Sequence, residues 1–490
     1  MYVYRQLIVG IIGVLCVLLT GGASAPAIAQ QPADPTRLPD FRRTTLILEM
    51  KAARGIPRDR LEEVRNIFRE FATYQAELIS HPLVYRLMRD PFQRTDAAGR
   101  QIPSVETILR DLERFLVYPV PGSRVTMEQA DYIRELGTAL DTALRPLITS
   151  HPERIVRINA TRMLALVCKM GATVHYATLT ELISSPNITP DIKNYALQAA
   201  ANLLSAYDVL DYKSRRHSNG WRNNEKPGSA DRELAALVGA IEKCITDPNT
   251  LVPGLWNGDL NSKPTILQPD QVEVARFIRR QAIRALAQVR FVMLTGGGPD
   301  GKSPLYPAYT LARVCLSDPR LILPPTPADC AEAVIGICNM SPVLEGGKYV
   351  KEYNVEGAVE AIVAGLITFA EPRGDLNDTS LHWRAYGLRI AEAMNNWPAL
   401  FDTLYDPTRP QQYDKNAVPR IVNDLIQRAR TAILDPLDRV GPEGKPDPLA
   451  GRVQIDTLRE YLRLLRANPK RNPFLFTNNP ETILPVISRN

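Results

Sequence analysis

The chain is poor in the residues that most often carry chemistry. Five of its 490 residues are histidine and six are cysteine. Neither H-E-x-x-H nor a zinc-type Cys/His spacing occurs, so the common metal-hydrolase and zinc-module designs are excluded, and no metal or cofactor is expected. The G-x-S-x-G elbow of serine hydrolases is absent as well. Lysine and arginine total 59 against 53 acidic residues, with no dense basic block. That balance permits contact with an anionic glycan or an envelope surface but gives no reason to expect nucleic acid. Long apolar runs are scarce too. One, residues 7–19, is shorter than the about 20 residues a membrane span requires, and no second candidate follows it.

That run reads as an export signal. Arg5 precedes it and Ala27-Ile28-Ala29 follows as an A-x-A pattern, placing cleavage before Gln30. An uncleaved anchor is the alternative. Cys16 lacks the small preceding residue of a lipoprotein box. Cleavage leaves a soluble extracytoplasmic chain, periplasmic or secreted, with an odd number of cysteines. Cys315 and Cys330 can pair across a hairpin where the compartment allows it. Cys330 and Cys338 share one predicted helix and cannot. Buried free thiols are the other reading, for these and for Cys168 and Cys244.

What the sequence does have is length, proline and repetition. A chain this long exceeds one ordinary core, and its 45% apolar content excludes wholesale disorder. Many of its 40 prolines fall at predicted element ends, as in Ser185-Pro186, Asp247-Pro248, Asp318-Pro319, Asp406-Pro407 and Asp435-Pro436, because the residue before proline leaves the α region. Between these stops one phrase recurs. It begins at Val156-Arg157, Ile192-Lys193, Ile278-Arg279 and Trp383-Arg384, each time with a small residue three positions after the cation: Ala160, Ala196, Ala282 and Gly387. The apolar stripe continues at helical spacing through Met163, Leu164 and Val167, and through Ala285, Leu286 and Val289. Recurrence of one amphipathic unit predicts stacked helix pairs.

The expected organisation follows. A signal (1–29) and a Pro-rich leader (30–42) precede a helical cap (43–125), with helices near 43–54, 57–79 and 103–117. Helix pairs fill 126–467: 127–149 with 153–169, 173–185 with 190–206, 231–246 with 270–293, 305–316 with 327–340, 356–370 with 380–396, and 416–434 with 452–467. A tail (468–490) lies extended along the last helices.

The second helix of each pair resembles the HEAT repeat of armadillo-like α-solenoids. Val156-Arg157, Ala160 and Leu164 fit that family's V-R-x-x-A-x-x-x-L core, as do Ile278-Arg279, Ala282 and Leu286. The acid that the family often places four residues before the arginine is approximated by Glu153 alone; Thr189, Ala275 and Ser380 hold the other positions. The resemblance implies an all-α, right-handed superhelical stack of antiparallel helix pairs and a binding surface, without naming a ligand. Arg157, Lys193, Arg279 and Arg384 are expected to be structural, with their stems between units.

One catalytic-looking motif needs a trial. Gly296, Gly301, Lys302 and Ser303 satisfy G-x-x-x-x-G-K-[ST], but a P-loop needs a strand before it and a helix N-terminus after it. A predicted helix precedes this one, and Pro304 and Pro307 follow, so an inter-repeat loop is expected. Two long loops are the candidate partner contacts: Lys213, Arg215, Arg216, Trp221 and Arg222 in one, and Trp256 in the other. The alternative for both is that the indole folds back over the helices. The expectation is an exported, non-catalytic scaffold or binding protein that meets a protein or cell-envelope component. The alternative is a secreted α/α-toroid lyase or glycosidase acting on polysaccharide.

Overall fold

A computed structural model describes residues 37–52, 56, 58–86, 95–118, 127–206, 229–251, 269–294, 303–321, 323–343, 349–374, 381–402, 415–434, 448–477 and 479–485. The signal, the leader before residue 37 and both tryptophan loops fall outside them. The described chain is all-α, with β structure limited to isolated bridges. Its longer helices are α1 (Thr44–Ala52), α2 (Leu61–Ser80), α3 (Val105–Glu113), α4 (Met127–Ser150), α5 (Arg154–Val167), α6 (His175–Ser184), α7 (Pro190–Ser205) and α8 (Ser229–Thr246). They continue as α9 (Pro269–Leu286), α10 (Pro307–Cys315), α11 (Pro327–Asn339), α12 (Val355–Ala370), α13 (Leu381–Asn396), α14 (Arg420–Ala429) and α15 (Pro448–Ala467).

Local chemistry explains the boundaries. Proline opens α7, α9, α10, α11 and α15, where its missing N–H costs nothing and its φ already suits a helix. Ser104 caps α3 by accepting from the Thr107 N–H, and Asn354 caps α12 by accepting from the Gly357 N–H. Thr326 and Asp329 form a reciprocal capping box on α11. His81 and His151 sit at helix boundaries, each ring Nδ1 accepting the N–H two residues on.

Pairwise contacts arrange the helices in two rows. In the first, α4 packs on α6, α6 on α8, α8 on α10, α10 on α12, and α12 on both α14 and α15. In the second, α5 packs on α7, α7 on α9, α9 on α11, and α11 on α13. Cross-row contacts join α4 to α5, α6 to α7, α8 to α9 and α10 to α11, while α2 covers α4 and α5 at the amino end. α12 packs mainly on α11 rather than on α13, the partner expected for it. The repeated phrase supplies the seam between rows: Val156, Ala160, Met163, Leu164 and Val167 of α5 are buried, as are Ile192, Ala196 and Leu197 of α7 and Ile278, Ala282, Ala285 and Leu286 of α9. Burying one such leucine or isoleucine is worth roughly 1.5–3 kcal/mol. Gly336 permits a close approach, since a Cβ there would lie 2.9 Å from the Ala287 Cβ and 3.0 Å from its Cα.

Two segments depart from expectation. The helix expected to run to 293 ends at Leu286, because Val289 closes an i→i+3 turn and the chain then bridges Phe291 to Ser341 and Leu294 to Leu305. The tail does not simply extend along the last helices. Asx turns at Asn472 and Asn479 bend it, and it returns to the start of α12 and α10: Asn354 donates to the Asn472 and Phe474 carbonyls, and the Tyr309 hydroxyl donates to Ile483 O. Leu475, Phe476 and Leu484 are buried there. Cys168, Cys244, Cys315, Cys330 and Cys338 are all buried and unbridged.

Candidate functional site

The sequence-predicted contacts Lys213, Arg215, Arg216, Trp221, Arg222 and Trp256 lie outside the described residues, as does the P-loop match except for Ser303. Leu294 and Leu305, which flank that motif, exchange backbone hydrogen bonds at 3.0 and 2.9 Å. The residues on either side of the motif are therefore joined by one antiparallel bridge, and among the described residues no strand leads up to it.

The cations of the repeated phrase share one task. Arg157 donates to Ile148 O at 2.9 Å, Lys193 to Thr250 O at 2.9 Å, and Arg279 to Pro324 O at 3.0 Å as well as to Leu323 O. In each case a second-row helix satisfies a carbonyl beside a helix end, and for Lys193 and Arg279 that end belongs to the next pair. Burial pulls the Lys193 ammonium below its ordinary pKa. The Arg384 side chain is not among those described.

Acids complete these links, from positions the family-like spacing does not mark. Arg279, 1% exposed, meets Asp329 at 2.8 Å, and Arg280 reaches the same carboxylate at 3.3 Å. One turn further along α11, the fully buried Glu332 accepts from Arg284 at 2.6 Å and Arg389 at 2.7 Å, and Arg284 also donates to the Tyr386 hydroxyl. Burial pushes the Glu332 carboxyl up, but hydrogen bonds from Arg389 and then Arg284 outweigh it and hold the group below the usual range. These carboxylates bind α9, α11 and α13 together, each with its charge matched by two arginines.

The other end of the second row is different. A groove of about 770 Å³ opens where the segment 101–107 meets α5 and Tyr195 of α7. Asp96 orders the turn that precedes this segment by accepting the N–H groups of Leu38, Ala98 and Arg100. The groove wall is aliphatic, formed by Val84, Ile102, Val105, Ile155 and Ile158. Its polar lining comprises Gln101, Ser104, Glu106, Thr107, Asn159, Arg162 and Tyr195. Arg162 donates to Glu106 Oε1 at 3.2 Å and to Asn159 Oδ1 at 3.5 Å, and its guanidinium lies 6.0 Å from the Tyr195 ring centre. The Glu106 carboxyl is held below its usual range by its own backbone N–H and then by Arg162. Asn159 is 2% exposed, yet its Nδ2 finds no hydrogen-bond partner among the described residues. A flipped amide would turn that donor against Arg162, so the orientation is set by the guanidinium. A buried donor without an acceptor costs about 1–3 kcal/mol.

A smaller cleft of about 380 Å³ beside α15 contains Arg459, Arg463 and Arg466. Each is already paired, with Asp456 and Glu371, Glu460, and Glu360 respectively. The groove over α5 is thus the better-formed site. Sequence reasoning missed it because its walls come from three separated stretches; the one local signal was a polar Asn159 inside an otherwise apolar helix phrase. Among the described residues, no helix is long and apolar enough to cross a membrane, and no group of three His, Cys, Asp or Glu could hold a metal ion. No family model matches the chain, and no curated protein compared with it matches either.

Proposed function

We propose that this chain is an exported, HEAT-like α-solenoid that binds a partner through the outer face of its second helix row and has no catalysis of its own. Support for the repeat reading is the two-row order of contacts, in which each second-row helix touches the next, and Lys193 and Arg279 each reach a carbonyl of the following pair. A closed ring, as the enzyme alternative needs, would bring α1–α5 against α12–α15. Among the described residues those sets share no substantial contact, so the open row is the reading we carry. The observation that carries the binding role is the groove over α5, where a preformed aliphatic wall meets a buried amide donor left unused. Binding sites are typically concave and mostly apolar, with a few placed polar groups. A superhelical row would present this groove at one end of a long surface, and the exposed Val274 and Phe277 of α9 and Leu388 of α13 would add contact area further along. Export after cleavage near Ala29 places the partner in the cell envelope or outside the cell.

The test is affinity capture from an envelope extract with the wild-type chain and with Ile158→Glu, which puts a charge into the aliphatic wall. A partner held by the first and lost from the second, at matched thermal stability, is the expected result. Equal capture by both chains would remove the groove from the account.

A further inference from the structure

We infer that the groove over α5 receives the C-terminal carboxylate of a peptide ending in an aliphatic residue, and that Glu106 occupies the carboxylate position in its absence; this rests on the binding role proposed above. Three independent features point to that chemistry. The first is the donor set. Arg162 offers a planar fork suited to a carboxylate, and the buried Asn159 Nδ2 has no acceptor among the described residues. Both line the same groove. The second is Glu106. Its carboxylate is already on Arg162 at 3.2 Å, but its side chain is 66% exposed, and exposed pairs of this kind are weak and replaceable. An internal carboxylate on the guanidinium shows what group that position accepts. The third is the wall. Ile102, Val105, Ile155 and Ile158 are aliphatic, and Tyr195 is the single aromatic in the lining, which suits a Leu, Ile or Val side chain better than a sugar face. A peptide is favoured over a free acid because of the Ser104 hydroxyl on the rim. It accepts the Thr107 N–H and meets Thr107 Oγ1 at 3.1 Å, and it keeps one acceptor site when it donates to Thr107. A backbone N–H can use that site and a fatty acid cannot. Binding would move Glu106 aside into solvent, with no covalent change.

Calorimetric titration of the purified full chain with acetyl-Ala-Ala-Ala-Leu tests this. Its comparators are the same peptide as a C-terminal amide, and 4-methylpentanoate. The free-carboxylate peptide should bind at least about tenfold more tightly than either comparator, the scale of one charge-assisted hydrogen bond. Arg162→Met and Asn159→Leu should each lose about tenfold or more without a lower melting temperature. Glu106→Gln should tighten binding several-fold, an outcome that a purely structural Arg162–Glu106 pair would not give. The proposal is overturned if amide and acid peptides bind alike, if 4-methylpentanoate binds as well as the peptide, if no peptide binds, or if Glu106→Gln leaves affinity unchanged or weaker. A partner captured in an Ile158-dependent way but lacking an aliphatic C-terminus would end this inference and leave the binding role standing.

Discussion

The two ends of the second helix row treat buried polar groups in opposite ways. Around α11, the carboxylates of Asp329 and Glu332 are each met by two arginines, although the buried Nε of Arg279 has no partner among the described residues. Around α5, Asn159 is just as deeply buried but keeps a donor without an acceptor among the described residues. Desolvation is costly in both places. In the first the cost is offset inside the fold, so the network works as an adhesive between pairs. In the second the offset is absent for Asn159 Nδ2, and the binding role proposed for the groove would supply it.

This contrast can be broken by substitution. The largest effect is expected at Asp329→Ala, which strands the buried Arg279 and removes one half of the α11 capping box. Stability measured by urea unfolding should fall by about 3–5 kcal/mol. Glu332→Gln keeps the shape but removes the charge facing Arg284 and Arg389, and a loss of about 2–3 kcal/mol is expected at neutral pH. The same carboxylate has a pKa lowered by folding, so its contribution is present above the unfolded value and fades as pH falls through the folded one. In Glu332→Gln that acid-side fading should disappear from the stability profile.

Glu242 of α8 gives the opposite pH signature. Burial pushes its carboxyl up to about 7, against smaller downward effects from the Thr310 hydrogen bond and Arg313. Because the folded pKa is raised, its contribution is complete below the unfolded value near 4.3 and is lost as pH rises through about 7. Glu242→Gln should therefore stabilise the protein by about 1–3 kcal/mol at pH 8 and change little at pH 4, as read by thermal melts at both values. The smallest effect is expected at the other end of the row. Asn159→Leu should be neutral or stabilising, within about 1 kcal/mol, because removing the unpaired donor offsets the loss of the long contact that Arg162 makes to Asn159 Oδ1. A loss of 3 kcal/mol or more there, the scale expected of a broken buried pair, would erase the difference between the two ends.

Much of the helical fold was legible because it depends on local periodicity. The phrase at Val156, Ile192 and Ile278 specifies both a helix and its buried face, and α5, α7 and α9 follow from it. The structural role expected of Arg157, Lys193 and Arg279 was legible from the same phrase, but their partners were not. Each receives its acceptor from a backbone carbonyl, and Thr250 and Pro324 are set by how pairs stack rather than by neighbouring residues. Asp329 and Glu332 were passed over because α11 carries small residues and cysteines where its neighbours carry the apolar–cation phrase. The end of α9 was misjudged for a related reason: Phe291 and Val292 continue an apolar pattern, but their burial is against the turn after α11, not along a helix. The groove was invisible in one dimension, since Glu106 and Arg162 come together only when α3 lies on α5.

The most direct test of the account is a photo-cross-linking residue placed at Ile158, in the groove wall, and in a second chain at Ala177, on the exposed surface of α6 in the first row. Exposed to its own envelope extract, the Ile158 chain should form a discrete adduct that the Ala177 chain does not. Matching adducts from both positions, or none from Ile158, would contradict a binding face on the second row.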